Sequence, residues 1–378
     1  MTDYKEMKFS RNISEEDNDA RVIIENLKEV VCAAATINYG KRNMIKTFSM
    51  DSSTYNEKEA KARKAVLQYA AQNSGIKKLE EKKDIVRAFD NDTFVSIVNG
   101  IVSETLAGVV TNTGSSQLMA LCNMDDVDLG DSKSYPIETK GLPIAQRASY
   151  MNNITFTDSY TTTSITITPK VYTIGSSIDY IRILSNGYDW GKELARVALG
   201  MLYAQYKLVS GILFNTANVT GTPLYKSSWT QDGYIAMIED LKALNKADVK
   251  AYGTLQAFNK QGSLATTSYG FESQDRMISD GFLGRAYGVE NVVIDQATDL
   301  SAPFTDANRS NLLLVPTNKI LLLSDIGDKP VKLVRENFVR VFSKEAKDGS
   351  LYKQSYSYSM AFDAGLATSG HYGIQAVS

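Results

Sequence analysis

The stretch ITITPKVYTIGSSIDYIRILSNGYDWGKELARVALGMLYAQYKLVSGILF, residues 165–214, decides the fold. Its first residues alternate isoleucine with threonine, which predicts a strand, and a second extended segment follows over 171–178. Asp189 is a good helix N-cap residue, and small and apolar residues recur after it at helical spacing. We therefore predict a helix over 190–214, which at about 1.5 Å per residue is about 37 Å long. A rod of this length can span a whole domain.

The predicted long helix has one apolar face, marked by Leu194, Val197, Ala198, Met201, Leu208, Val209 and Ile212. Gly200 and Ala204 are small enough for neighbouring elements to approach the helix closely. A helix with one apolar face packs against other elements. We therefore expect this helix at the centre of a core.

The N-terminal part predicts three further helices. A capping box at 14–17 predicts the start of the first. The second begins near Thr54 and ends near Gly75, and the third runs from Asp92 to the turn at 111–114. Each has one apolar stripe, so each is expected to pack against another element.

Residues 124–153 contain turn residues, prolines and charges but no sustained apolar period. We interpret them as a long excursion from the core, with the acidic group at 125–131 as a solvated turn. Loops longer than about 12–15 residues in a compact domain are usually functional. We therefore expect this loop to contact a partner.

The rest of the chain predicts a mixed region followed by a strand-rich end. Ile235, Ile238 and Leu241 mark a helix, and another is predicted around 273–280. The predicted strands lie at 292–294, 312–315, 320–323, 331–334, 338–342, 352–361 and 371–377. Helices and strands in separate runs predict the α+β class.

The composition restricts the class of protein. Of 378 residues, 43% are hydrophobic and 22% are charged, as in soluble globular proteins. We find no apolar run of about 18 residues, so no membrane span is predicted, and the polar N-terminus predicts synthesis in a cytoplasm. The 41 basic and 43 acidic residues nearly cancel, which disfavours binding of nucleic acid through a basic face.

Residue patterns for catalysis or metal binding are missing from the sequence. His371 is the single histidine, and no nucleophile motif surrounds any serine. Cys32 and Cys122 are far apart and form no metal-binding pattern, so we interpret both as buried small hydrophobic residues. We predict no catalytic, cofactor-binding or metal-binding residues, no cofactor, and a protein that is not an enzyme.

Four segments together resemble the major capsid proteins of tailed bacteriophages, which have the Hong Kong 97-type fold. Residues 165–214 have the order strand, Thr-Pro-Lys, short strand, Asn-Gly turn and long helix. Residues 280–293 are similar to the family's segment with Gly-Arg-x-Tyr-Gly before an apolar strand, and 317–378 resemble its strand-rich end. Residues 127–132 resemble the approach to the family's extended loop, so the resemblance covers about 125–378.

The resemblance implies a fold with an N-terminal arm, an extended β-hairpin loop, a peripheral domain with a long spine helix, and an axial domain. The implied division is an N-terminal helical extension and arm at 1–124, the extended loop at 125–165, the peripheral domain at 166–228, the axial domain at 229–325, and returning strands at 326–378. Many relatives lose an N-terminal segment to a protease. We expect residues 1–124 to be retained here.

The resemblance also implies a function and partners. The chain would assemble with itself, as hexamers and pentamers, into an icosahedral shell around the double-stranded DNA genome of a tailed phage. It would meet portal and scaffolding or decoration proteins, contact DNA without sequence specificity, and bind no membrane. It would be made in the cytoplasm of the bacterial host and reside in the virion capsid. The implied inter-subunit contact residues in the loop are Asp131, Lys133, Lys140 and Arg147.

Other readings of the sequence remain open at this point. The nearest is the shell protein of an encapsulin-type nanocompartment, which encloses cargo proteins instead of a genome. An enzyme is disfavoured by the lone His371. A tail-tube or adhesin protein is favoured by the threonine- and tyrosine-rich strands but disfavoured by the helix at 190–214.

Overall fold

The structure is a computed structural model of the chain. It describes residues 17–40, 45–76, 79, 82–111, 116–138, 162–179, 189–264, 280–299, 302–345 and 353–377. Most helices lie in the first part of the chain and most strands in the last part, and together they surround two hydrophobic cores. This arrangement confirms the predicted α+β class. Residues 273–279 of the helix predicted around 273–280 and the Asn-Gly turn at 186–187 lie outside the described residues.

The first two predicted helices are confirmed, with different caps. Helix α1 is Asn18–Tyr39, and the carboxylate of Asp17 accepts a hydrogen bond from the backbone N–H of Asp19 at 2.8 Å. The predicted capping box at 14–17 otherwise lies outside the described residues. Helix α2 is Ser52–Asn73 and is capped by Asp51, not begun at Thr54 as predicted. Asp51 accepts the N–H of Thr54 because it stands where the first free backbone donors point.

Two more helices complete the N-terminal part. Helix α3 is Lys82–Phe89, a helix of eight residues that is too short for its periodicity to predict it. Helix α4 is Asp92–Thr111, as predicted, and the side chain of Asn91 accepts the N–H groups of Thr93 and Phe94 at 2.9 and 3.2 Å. Ten residues of α4 are buried, so this helix belongs to the core.

A five-stranded sheet forms one side of the first core. The strands are β1 (Cys122–Val127), β4 (Lys170–Asp179), β10 (Val331–Glu336), β11 (Arg340–Glu345) and β12 (Lys353–Leu366). Strand β1 pairs with β10, β10 and β11 pair with successive parts of one edge of β12, and β4 pairs with the other edge of β12. The pairing of β1 with β10 is parallel, and the other pairings are antiparallel. The predicted strands at 171–178, 331–334, 338–342 and 352–361 are thereby confirmed.

The long helix is confirmed as α5, Trp190–Leu213, with Asp189 as its N-cap. The carboxylate of Asp189 accepts the N–H of Lys192 at 3.0 Å. A Cβ on Gly200 would stand 2.9 Å from the side chain of Ile174, so this glycine lets β4 approach the helix closely. Helices α1, α2 and α4 pack with α5 and the five-stranded sheet into one core.

A second sheet has a central strand that is buried on both faces. Its order is β5-β13-β9-β6-β8-β7, with β5 Tyr225–Lys226, β6 Val249–Gly253, β7 Arg285–Ala286, β8 Val289–Val293, β9 Lys319–Ser324 and β13 Tyr372–Ala376. In β9, Leu321 and Leu323 belong to the first core, whereas Ile320 and Leu322 belong to the second. This explains the continuous apolar run at 320–323, because a strand covered on both faces lacks polar alternation.

Helices cover the outer side of this sheet. Helix α6 is Gln231–Asn245, as predicted, and α7 is Leu255–Leu264. The short helix α8, Arg309–Leu312, corrects the predicted strand at 312–315, of which only Leu313 forms an isolated bridge, with Thr298. A short apolar run does not distinguish a strand from the end of a buried helix, which caused this error.

The prediction of an excursion over 124–153 was wrong for its first residues. Residues 122–127 form β1, an edge strand of the five-stranded sheet. The sequence of β1 lacks the alternation of polar and apolar residues that marks a strand, because Asp125 and Asp126 are adjacent. Each of them forms an ion pair within the fold. The excursion then continues as a hairpin of β2 (Lys133–Glu138) and β3 (Thr162–Ile167), which form a two-stranded sheet of their own.

In the part of the chain that the structure describes, two helices have the length and apolar composition of a membrane span, although the sequence predicted no span. They are Asp92–Thr111 and the segment Trp190–Asn218, and 56% and 61% of their most apolar windows are buried inside the protein. Both lie at the centre of the first core. Their apolar composition is accounted for by that position, since a helix surrounded by protein is apolar on most sides.

Candidate functional site

The root of the β2–β3 hairpin begins with a tight turn after β1. The N–H of Asp131 donates to the carbonyl of Asp128 at 3.0 Å, and Gly130 has a φ of +83°, which favours glycine. The N–H of Gly130 donates to the carboxylate of Glu336 at 3.0 Å. Because Glu336 is only 6% exposed, this bond ties the turn to the body of the sheet.

Asp125 on β1 holds the first strand of the hairpin. Its carboxylate lies 2.6 Å from the ammonium of Lys133 and accepts a hydrogen bond from the hydroxyl of Tyr135. Burial alone would raise the pKa of Asp125, but Lys133 and Tyr135 outweigh it and hold that pKa below its usual value. Burial and the same contact raise the pKa of Tyr135, so its hydroxyl remains a donor. We call these three residues the Asp125 clamp.

The returning strand is fixed by packing. The side chain of Ile167 is 5% exposed and fills the space beside Gly365, where a Cβ would stand 2.9 Å from Ile167 Cδ1. Lys170 Nζ lies 2.8 Å from the carboxylate of Asp363, but Lys170 is 75% exposed, so this ion pair contributes little. The hairpin is therefore rooted at both strands on one sheet.

The structure places two of the four predicted contact residues. Asp131 is exposed in the turn, and Lys133 is paired with Asp125 of its own chain. Lys140 and Arg147 lie outside the described residues. Contact of these four residues with a neighbouring subunit stays a prediction.

The acidic group at 125–131 is only partly a solvated turn. Asp125 belongs to the clamp, and Asp126 Oδ1 lies 2.5 Å from Nε of Arg335. Arg335 is 4% exposed and also donates to the carbonyls of Val110 and Thr111 at the end of α4, at 3.3 and 3.5 Å. Spacing along the sequence does not reveal these roles, because the partner of Asp126 is distant in the chain and the partners of Asp125 lie across a turn.

The other face of the five-stranded sheet carries exposed apolar residues. Tyr172 stacks on Phe362, and Ile174 packs against α5, so the alternation along β4 points Val171 and Thr173 away from that helix. Val171 is 64% exposed, and Phe342 on β11, opposite Ser357, is 52% exposed. We call the face with Val171, Thr173, Phe342 and Ser357 the outer face.

The thiols of both cysteines lie where the reactive thiolate is disfavoured. Burial raises the pKa of the Cys122 thiol to about 12, and burial likewise raises the pKa of Cys32, which is half-buried and not fully buried as predicted. The backbone N–H and carbonyl of His371 pair with the side chain of Asn245. In the part of the chain that the structure describes, no three His, Cys, Asp or Glu residues are grouped so as to hold a metal ion.

Comparison with known proteins gives similarity in structure only. No family model and no curated protein matches the sequence. The capsid of cyanophage P-SCSP1u is 11% identical, with 70% of this chain and 88% of that chain covered at a TM-score of 0.44. The capsid of a native GTA particle is 13% identical, with 69% and 89% covered at 0.46.

A third similar structure is the virus-like particle from Pyrococcus furiosus. It is 10% identical, with 72% of this chain and 97% of that chain covered at a TM-score of 0.39.

Proposed function

We propose that the chain is a major capsid protein, which assembles with copies of itself into the icosahedral shell around the double-stranded DNA of a tailed phage. The sequence resemblance over about 125–378 supports this proposal, as does the order of strand, long helix and returning strands. The proposed role is structural and not enzymatic. The proposed location is the virion capsid, after synthesis in the bacterial cytoplasm.

The observation that carries the proposal is the rooted hairpin. A two-stranded hairpin is marginally stable in water by itself. Here β2 and β3 form their own two-stranded sheet, and the Asp125 clamp and Ile167 fasten its root to a core that contains a 24-residue helix. Such an anchored arm on a rigid body suits a subunit that reaches over its neighbour.

Closed shells need surfaces that meet themselves in a head-to-tail manner, and the contacts must close. Each specific contact needs about 1,000 Å² or more of buried surface. The exposed Val171 and Phe342 of the outer face are candidates for part of it. We propose assembly through hexamers and pentamers, with portal and scaffolding or decoration proteins as further partners and DNA contacted without sequence specificity.

We also propose that residues 1–124 remain in the assembled subunit. Helices α1, α2 and α4 contribute Leu27, Val66 and Ile101, among others, to the core around α5. Removing them would expose the apolar face of α5 to water. Intact mass spectrometry of assembled particles tests this: a subunit that retains α1, α2 and α4 supports the proposal, and one that begins beyond Thr111 contradicts it.

The test of the function is electron microscopy of two samples: particles that the purified chain forms, and particles isolated from the host cells. Closed shells that contain DNA support the proposal. Closed shells that contain cargo proteins instead of DNA support the alternative, an encapsulin-type nanocompartment. A compact monomer at high concentration, or turnover of a substrate, would contradict both.

A further inference from the structure

The N-terminus of the long helix α5 is held by side chains of another helix. Tyr55 on α2 donates its hydroxyl to Asp189 at 2.5 Å, and Glu59 on α2 accepts the backbone N–H of Trp190 at 3.3 Å. A Cβ on Gly191 would stand 2.5 Å from the Tyr55 hydroxyl and 2.8 Å from Val30 of α1. The glycine is therefore needed for α1 and α2 to close on this turn.

The setting of Glu59 is unusual for a carboxylate, because the residue is only 8% exposed. Its hydrogen bond to Trp190 is long, and the guanidinium of Arg63, at 3.9 Å, is too far away for a hydrogen bond. The ionised form of Glu59 thus has incomplete compensation for the loss of water.

Charged groups of two helices act on Glu59. On its own helix, Arg63 favours the ionised form, and the Tyr55 hydroxyl is occupied by Asp189. From α5, Lys192 and the positive end of the helix dipole favour ionisation, whereas the charge of Asp189 opposes it. On α1, Glu29 pairs with Lys58 of α2 at 3.3 Å, and its charge is thereby balanced.

We propose that Glu59 is a pH-responsive latch between the N-terminal helices and the long helix: protonated, it holds the first turn of α5 against α2, and ionised, it loosens that contact. The side chain reaches the helix end in either form, since a protonated carboxyl still accepts a hydrogen bond through its carbonyl oxygen. Ionisation adds the cost of a buried charge, and the attraction of Arg63, Lys192 and the helix dipole offsets that cost only in part.

The direction of the effect follows from linkage. Burial raises the pKa of Glu59 above that of the unfolded chain, about 4.3. A group whose pKa is raised on folding contributes stability that is fully present below the unfolded pKa and is lost as the pH rises through the folded pKa. Acidification from neutral pH therefore tightens the latch.

The experiment is hydrogen–deuterium exchange of the unassembled full-length chain, read at the peptide that covers Trp190 to Glu193 and corrected for the intrinsic effect of pH. As the pH is lowered from neutral towards the unfolded pKa of about 4.3, the protection of this peptide is expected to rise severalfold in the wild type. Glu59→Gln keeps an acceptor but cannot ionise, so its protection should not change with pH. The matched control is Glu57→Gln, because Glu57 is exposed on the same helix and pairs with Lys61; it should respond as the wild type does.

A second variant keeps the proposal testable if Glu59→Gln does not fold. Arg63→Met removes the cation that favours ionised Glu59, so the change in protection should move to higher pH. A wild-type chain without pH response, a Glu59→Gln variant that responds like the wild type, or an Arg63→Met transition that stays or moves lower overturns the proposal. None of these measurements depends on shell formation.

Discussion

Ile167 occupies the space that a side chain at position 365 would need: its Cδ1 lies 2.9 Å from the place of a Cβ on Gly365. The hairpin packs on the sheet at this point because Gly365 has no side chain and leaves room for Ile167. Replacing Gly365 by Leu should displace Ile167 and cost about 1–3 kcal/mol of unfolding free energy, as overpacking does. Chemical denaturation measures this cost.

The control for that substitution is Gly211→Ala on α5. A Cβ there would meet nothing within 4 Å, and alanine is the better helix former by up to about 1 kcal/mol. This variant should be as stable as the wild type or more so, and should assemble. If Gly365→Leu were equally harmless, the seating of Ile167 would be refuted.

The Asp125 clamp should make the hairpin root sensitive to acid. Because the pKa of Asp125 is lowered in the folded chain, its contribution is present above the unfolded value of about 3.9 and is lost as the pH falls through the folded pKa. Asp125→Asn should abolish this part of the pH dependence and weaken the root at neutral pH. Stability measured against pH for the wild type, for Asp125→Asn and for the exposed control Asp306→Asn checks it, and identical profiles would contradict the clamp.

Arg335 should be costly to truncate. It is 4% exposed and bonds both Asp126 and the final carbonyls of α4. Because Asp126 is 40% exposed, Arg335→Ala should cost about 2–3 kcal/mol, below the about 3–5 kcal/mol of a fully buried pair. A double-mutant cycle with Asp126→Ala separates the ion pair from the carbonyl contacts. A loss below about 0.5 kcal/mol, as at ordinary surface positions, would speak against this role.

The outer face should matter for assembly and not for folding. Val171→Asp and Phe342→Asp change exposed residues, so unfolding free energies should stay within about 0.5 kcal/mol of the wild type. A charge at a contact between copies should nevertheless reduce the assembled fraction in size-exclusion chromatography. Leu244→Asp, at a residue 48% exposed on α6, is the matched control. Assembly unchanged in both outer-face variants would exclude this face from the contacts.

Long, strongly patterned elements were predictable from the sequence. Asp189 and the apolar face after it gave α5 almost to the residue, because capping and periodicity are local properties. Strands such as β9 were found from their apolar runs, since both of their faces are buried.

Elements defined by distant partners could not be predicted in the same way. Strand β1 contains Asp125 and Asp126, which are polar in isolation and acceptable in a strand only because Lys133, Tyr135 and Arg335 meet them. Of the predicted contact residues, Lys133 lies at the root of the hairpin. Its ion pair with Asp125 could not be predicted, because residue spacing does not reveal which side chains meet there.

Electron microscopy of the purified full-length chain tests the central claim most directly. The claim is that a rigid body built around α5, with a hairpin rooted on its sheet, reaches its stable state by assembling with identical copies. The expected result is closed shells of uniform diameter. A chain that stays monomeric at high concentration, and also after the proposed portal and scaffolding or decoration proteins are added, would contradict it.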